Sequence, residues 1–393
     1  MEHKDVVIVG SGPAGVATAL ALDKIDPEIA QQTVVLEARR HPREKVCAGC
    51  VTGRGLNLFK SLGVDLTAPH VCINSVRFRT AWGDLVAHTQ KYGVVVRRSE
   101  FDATVAAELP RREITLREGT RLKSLSDNGT RIVAHTTNGD IAARAIVGAD
   151  GVGSVVRRYI EDVNNSTLLT QAEIEIGPDH PSHAEKRIEF DFRKVPDGRR
   201  GYRWIFPYIE NGKTHVNVGI CERNGDGAVE LKNLLKTYME SEGLDHKNAR
   251  FRFFPERSYN PEGIFCAPGM LLVGDAAGID PFLGEGLSYS VEYGILAAET
   301  IVKAIKNNDF SFSEHGAKVK RSRLGMTLSI LNLIAKHFYG PLHERLVKNG
   351  LMDPQISRDI GDFLAGRIQP TVAMLLKIAY KLAYNTCIPS AKK

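Results

Sequence analysis

Val6-Val7-Ile8-Val9-Gly10-Ser11-Gly12-Pro13-Ala14-Gly15 stands almost at the start of a 393-residue chain, and it decides how the rest is read. Four apolar β-branched residues in a row predict a strand buried on both faces of a parallel sheet. The glycines predict a tight turn, and Val16 to Leu22 an apolar, Ala-rich helix. Gly10 lets the backbone turn, Gly12 lets it approach a pyrophosphate, and Gly15 lets helix and strand pack closely. The helix N-terminus, with Pro13 and Ala14 in its first turn, then offers free N–H groups and a positive dipole end to phosphates. A second strand, Thr33–Leu36, ends at Glu37, 22 residues after Gly15. An acid there can bind adenosine ribose hydroxyls and disfavours a 2′-phosphate, so this site suits FAD or NAD(H).

Composition narrows the class. The chain is 43% hydrophobic and 25% charged, which is globular, and its length predicts two or three connected domains. A net charge of +6 is scattered among acids, with no nucleic-acid motif. With no charged-then-apolar leader before the first strand and no apolar run of about 18 residues, the reading is a cytoplasmic protein. The mildly basic charge also suits peripheral contact with anionic lipid headgroups. Cys72, Cys221, Cys266 and Cys387 are isolated, and only Cys47 and Cys50 form a C-x-x-C pair, too few for a zinc or iron–sulfur site. No metal is expected.

Further along, Arg39 to Cys50 is a basic loop, and Gly53–Leu62 reads as a helix. Val71–Arg79, Asp84–Thr89 and Val94–Arg97 read as strands. Ile114–Arg117, Leu122–Ser126, Arg131–Thr136 and Asp140–Ala143 read as short antiparallel strands. Two more buried strands end in acids, at Asp150 and Asp275. In open α/β sheets, ligands sit beyond the carboxyl ends of the strands, so one ligand explains all three acids. From Leu168 to Cys221 the pattern is mostly β, and Leu287–Ile305 is a long helix. Phe312–Lys393 is helical.

The chain resembles the FAD-dependent oxidoreductases that include aromatic hydroxylases, tryptophan halogenases and geranylgeranyl reductases. Gly148-Ala149-Asp150-Gly151-Val152-Gly153-Ser154-Val155-Val156-Arg157 resembles their internal Asp-Gly motif, and Gly274-Asp275-Ala276-Ala277-Gly278 their Gly-Asp motif, in which Asp holds the ribityl hydroxyls. Arg98, in Arg98-x-x-Phe101-Asp102, matches the position whose guanidinium approaches the cofactor. The resemblance spans roughly residues 4 to 310. Taken singly, Asp150 also reads as a helix cap and Arg157 as a solvated charge.

Tyr202-Arg203-Trp204-Ile205-Phe206-Pro207 resembles the Tyr-x-Trp-x-Phe-Pro motif of geranylgeranyl reductases, in which Tyr202, Trp204, Phe206 and Pro207 would line the prenyl cavity. Pro42-Arg43-Glu44-Lys45-Val46-Cys47-Ala48-Gly49 is similar to the family's Pro-x-x-Lys-x-Cys-Gly-Gly, with Ala48 departing from it. This implies cofactor contacts at Ala38, Cys47, Ala48 and Gly151. It also implies contacts at Gly284, Gly286 and Leu287, where a helix N-terminus would stabilise the reduced ring. Cys47, Gly284 and Gly286 are the catalytic candidates. Cys47 could position substrate, relay a proton, pair with Cys50 as a redox disulfide, or be structural.

The implied fold is α/β: a Rossmann-like FAD-binding domain (1–70, 90–165, 265–310) interleaved with a mostly antiparallel substrate sheet (71–89, 166–264), then C-terminal helices (311–393). The implied activity is reduction of prenyl double bonds, with electrons from NAD(P)H or a reduced carrier protein. A monooxygenase or halogenase on the same scaffold is the alternative, though the halogenase Trp-x-Trp-x-Ile-Pro strand is absent. A flavin-binding electron carrier to a quinone is a third reading.

Overall fold

The computed structural model describes residues 1–161, 167–177, 179–222, 228–247 and 249–368. Cys387 and the end of the C-terminal region, 369–393, lie outside them.

Two eight-stranded sheets make up the architecture. In the first, Met270–Leu272, Gly139–Gly148, Glu2–Val9, Thr33–Glu37 and Thr115–Glu118 lie side by side and parallel. Val6 to Ile8 and Val34 to Val35 are fully buried, as continuous apolar runs in a covered parallel sheet should be. Helix Leu287–Asn307 packs against helix Pro13–Ile25. The second sheet runs Arg250–Glu256, Thr167–Glu175, Lys213–Glu222, Gly201–Glu210, Arg187–Asp191, His70–Thr80, Gly83–Val96 and Cys50–Thr52. Its pairings are antiparallel except for Arg187–Asp191 with His70–Thr80.

Several boundaries differ from the sequence reading. Thr115–Glu118 pairs parallel with Thr33–Glu37 rather than in an antiparallel hairpin. Asp140–Ala143 and the buried run after it are one strand, Gly139–Gly148. Gly83–Val96 is also one strand, so 90–96 and the short Cys50–Thr52 belong to the second sheet. Arg250–Glu256 had no counterpart in the sequence reading. For the first three, partner strands complete hydrogen bonding that a local pattern does not reveal.

The apolar C-terminal segment folds inward. Leu324, Leu328 and Leu331 of helix Arg323–Phe338 are buried, and Phe338 and Tyr339 join an aromatic cluster on the second sheet. Among the described residues no helix is long and apolar enough to cross a membrane.

The turn glycines set the packing of the first sheet. A Cβ on Gly15 would lie 1.9 Å from the Gly10 carbonyl oxygen, whereas one on Gly177 would meet nothing within 4 Å. Gly15→Ala should therefore lower stability by about 1–3 kcal/mol, with Gly177→Ala nearly neutral, as read from urea-unfolding midpoints.

Candidate functional site

The adenosine end is built where the first strand turns into its helix. Gly10 has φ +107°, and a Cβ there would lie 2.4 Å from the Ala149 carbonyl oxygen. With Gly15, it is fixed by protein packing alone. Gly12 is different: its missing Cβ would meet only the guanidinium of Arg43, at 3.6 Å. Helix Pro13–Ile25 begins there with no side-chain cap, leaving its first N–H groups facing that space.

Beside it, Glu37 ends its strand 6% exposed. Its Oε2 accepts from the Ser11 hydroxyl (2.8 Å), the Ser11 N–H (3.3 Å) and Arg43 Nε (3.0 Å), and Oε1 accepts from the Arg39 N–H (3.0 Å). Burial would raise its pKa, but Arg43 and these hydrogen bonds outweigh burial and hold it below the ordinary value. Ala38 follows with its side chain exposed.

From Glu37 a chain of alternating charge runs inward. Arg43 Nη1 lies 3.3 Å from the buried Asp102, which takes Arg98 through two hydrogen bonds of 2.7 and 3.1 Å. Burial opposes the Arg98 charge, but Asp102 and Cys47 outweigh it and keep the guanidinium a firm cation. The Cys47 sulfur also accepts from the Gly49 N–H at 3.4 Å. Sequence reasoning singled out neither Arg43 nor Asp102 as site residues, although both stand in stretches it quoted.

Asp150 shares in capping helix Val155–Ile160, whose N-cap residue is Ser154: Oδ2 of Asp150 accepts from the N–H groups of Val155 (2.7 Å) and Val156 (3.4 Å). Its Oδ1 is buried without a partner, and burial pushes its pKa up. Gly151, at φ +75°, has open space around its Cβ position. Arg157 is not a solvated charge. It is buried and donates to the Ala276 carbonyl at 2.9 Å and to Glu161 at 2.8 Å, tying this helix to the turn that carries Asp275.

That turn is pressed against the first helix, since a Cβ on Gly274 (φ +59°) would lie 2.8 Å from the Ala14 Cβ. Asp275 lies 3.6 Å from Lys45 Nζ, which also sits 3.4 Å from the centre of the Phe254 ring. Burial lowers the Lys45 pKa, with Asp275 opposing. The strand carrying Phe254 went unread, although Arg250, Phe251, Arg252 and Phe253 alternate with the period of two that marks one.

At the inner end, Gly286 precedes helix Leu287–Asn307, and the Glu285 carboxylate beside it meets the first turn. A Cβ on Gly284 (φ +70°) would lie 2.8 Å from Glu256 and 3.0 Å from the Tyr202 hydroxyl. Glu285 accepts from the Ser288 N–H at 2.9 Å. Tyr202, Trp204 and Phe206 project from one face of their strand into a buried aromatic cluster with Phe190, Phe192 and Phe338. Strand alternation puts Pro207 on the other face, beside Ile205, which packs in a separate cluster; it does not line the wall the aromatics form. Ala48 packs against the aromatic cluster. Cys47 and Cys50 are free thiols, so the disulfide reading does not describe this state. Burial, with Glu285 and Cys47 nearby, drives the Cys50 pKa far up, which makes it a poor thiolate.

Residues 3–308 match the family described as the FAD binding domain. The chain belongs to that family. It is an FAD-dependent oxidoreductase, 28% identical over 330 residues to digeranylgeranylglycerophospholipid reductase 1 of Methanopyrus kandleri, covering 79% of this chain and 83% of that one. Its fold is shared with a geranylgeranyl bacteriochlorophyll reductase-like protein from Thermoplasma acidophilum (TM-score 0.73, 20% identity, 96% of each chain). It is shared too with a flavin-dependent brominase (TM-score 0.75, 18% identity, 98% and 100%). The residues present fit the family's cofactor. Gly12 leaves room at an uncapped helix start, Glu37 is a buried acid at the strand tip, and Asp150 has an oxygen to spare.

Glu37 makes an acid-dependent contribution to stability. Its native pKa is lowered, so its stabilisation is complete above the ordinary value of 4.5 and fades as pH falls through the lowered one. Glu37→Gln should cost about 1–3 kcal/mol at pH 7, with the gap to wild type closing as pH drops below 4.5, as read from urea unfolding at both pH values.

Proposed function

We propose that this oxidoreductase reduces carbon–carbon double bonds in a prenyl chain. The observation that carries the reading is a juxtaposition: the aromatic wall of Tyr202, Trp204 and Phe206 adjoins both the Gly284 turn and, through Asn217, the Cys47 loop. An apolar chain with isolated alkenes suits such a wall, and the reductase relative's name points to the same substrate class. The cofactor, when bound, supplies hydride.

The chain's own residues then have separable tasks. Ser11, Gly12, Glu37 and Arg43 would hold the adenosine and phosphate half. Asp150, Asp275 and Lys45 would hold the middle. The N-terminus of helix Leu287–Asn307, at Gly284 to Leu287, would stabilise negative charge at the inner end. Cys47, with Arg98 beside its sulfur, would orient the alkene or hold a proton for the carbon that does not receive hydride. Tyr202, Trp204 and Phe206 would align the chain and keep water out. Reducing equivalents would come from NAD(P)H or a reduced carrier protein.

The test is a single turnover. Protein photoreduced without oxygen and mixed with a prenyl-lipid extract should reoxidise, and mass spectrometry should find products heavier by two hydrogens. Flavin that stays reduced until air enters, with products gaining an oxygen atom, would sink the reductase reading in favour of a monooxygenase. Cys47→Ala should lower the single-turnover rate by about 10–1,000-fold while leaving FAD binding within about threefold of wild type.

A further inference from the structure

Trp204 does more than present a ring. It pairs across the sheet with Gly219, and a Cβ on Gly219 would fall 1.9 Å from the indole. Only glycine lets the ring lie flat over the neighbouring strand. Seated there, the indole Nε1–H donates to Asn217 Oδ1 at 2.7 Å.

That bond dictates how the Asn217 amide faces. Indole is a donor only, so the oxygen must point to Trp204 and the NH2 must point the other way. The other way is the Cys47 carbonyl, 3.4 Å from Nδ2. Asn217 is 2% exposed, so neither bond is replaced freely by water. The far side of the loop is pinned independently. Gly49 has φ +85°, a Cβ there would lie 2.1 Å from the Val96 carbonyl oxygen, and the Val96 N–H donates to the Gly49 carbonyl at 3.0 Å. Cys47 is therefore slung between two anchors, with Asn217 at its own backbone and Val96 two residues on.

We propose that Asn217 is a positioning residue, oriented by Trp204, that fixes the Cys47 loop against the second sheet. The aromatic strand thereby sets where the thiol stands as well as shaping the apolar wall. The value of that placement to catalysis rests on the prenyl-reduction reading. The anchoring does not, because it can be read without turnover.

Two variants divide the linkage. Asn217→Asp keeps the acceptor for Trp204 and loses the donor to Cys47. Trp204→Phe keeps an aromatic ring and loses the N–H that orients Asn217. Hydrogen exchange by mass spectrometry on the FAD-loaded protein should show residues 46–49 exchanging roughly 3- to 10-fold faster in both variants, with the first parallel sheet unchanged. Peptide-resolved alkylation of Cys47 by iodoacetamide should quicken in Trp204→Phe, and combining the two substitutions should add little to either alone. A folded Asn217→Asp or Trp204→Phe protein whose 46–49 exchange and Cys47 alkylation match wild type would overturn the proposal. If either variant fails to fold, the other decides. Loop release in a protein whose wild type reduces no prenyl chain would uphold the anchoring and remove the function.

Discussion

The structure depends on how closely two helices and a strand approach one another. Helix Leu287–Asn307 crosses helix Pro13–Ile25 at Gly294, where a Cβ would lie 2.7 Å from the Thr18 nitrogen. Gly274 meets Ala14 in the same layer, and Gly15 packs on Gly10. Interiors packed to crystal density cannot absorb an added methyl at such contacts without displacement. The same close packing brings together the helices that begin at Gly12 and Gly286. Their positive dipole ends would suit two parts of one anionic molecule.

Ion pairs do much to hold the loop from Arg39 to Cys50. Arg43, Lys45 and Cys47 reach in from a stretch with little regular structure, Arg43 to the nearby Glu37 and the distant Asp102, Lys45 to Asp275 and Cys47 to Arg98. Alternating signs let buried charges share partners, which offsets the desolvation each would suffer alone. Glu44 extends the pattern to Arg97 and Arg252, joining the loop to the second sheet. Polar bonds of this kind fix direction as well as proximity.

Much of this was legible in the sequence, for a physical reason. A strand buried on both faces, a turn that only glycine can make, and a helix packed on that strand are each specified locally, so Val6 to Gly15 and the acid at Glu37 could be read directly. The parallel pairing of Thr115–Glu118 could not, because strand partners are chosen by tertiary contact. Nor could Asn217 be recognised as a link, since an asparagine in a strand carries no mark of the indole and carbonyl it bridges. Asp150 shows how a motif acid is also bound up in local structure, with one oxygen on the helix N–H groups and the other left over. Pro207 shows the opposite: its place in the motif suggested a wall residue, but a side-chain period of two turns it to the other face.

On this arrangement one dinucleotide-sized cofactor would be held along its whole length, from Glu37 and Gly12 at one end to Gly286 at the other. Equilibrium titration of cofactor-stripped protein with FAD and with FMN, which lacks the adenosine half, tests it most directly. The account predicts FAD binding at least about 100-fold tighter, a difference of roughly 2.7 kcal/mol, because only FAD reaches the Gly12 turn and the Glu37 carboxylate. Equal affinities for the two would mean that this end of the cleft holds nothing, and would contradict the account.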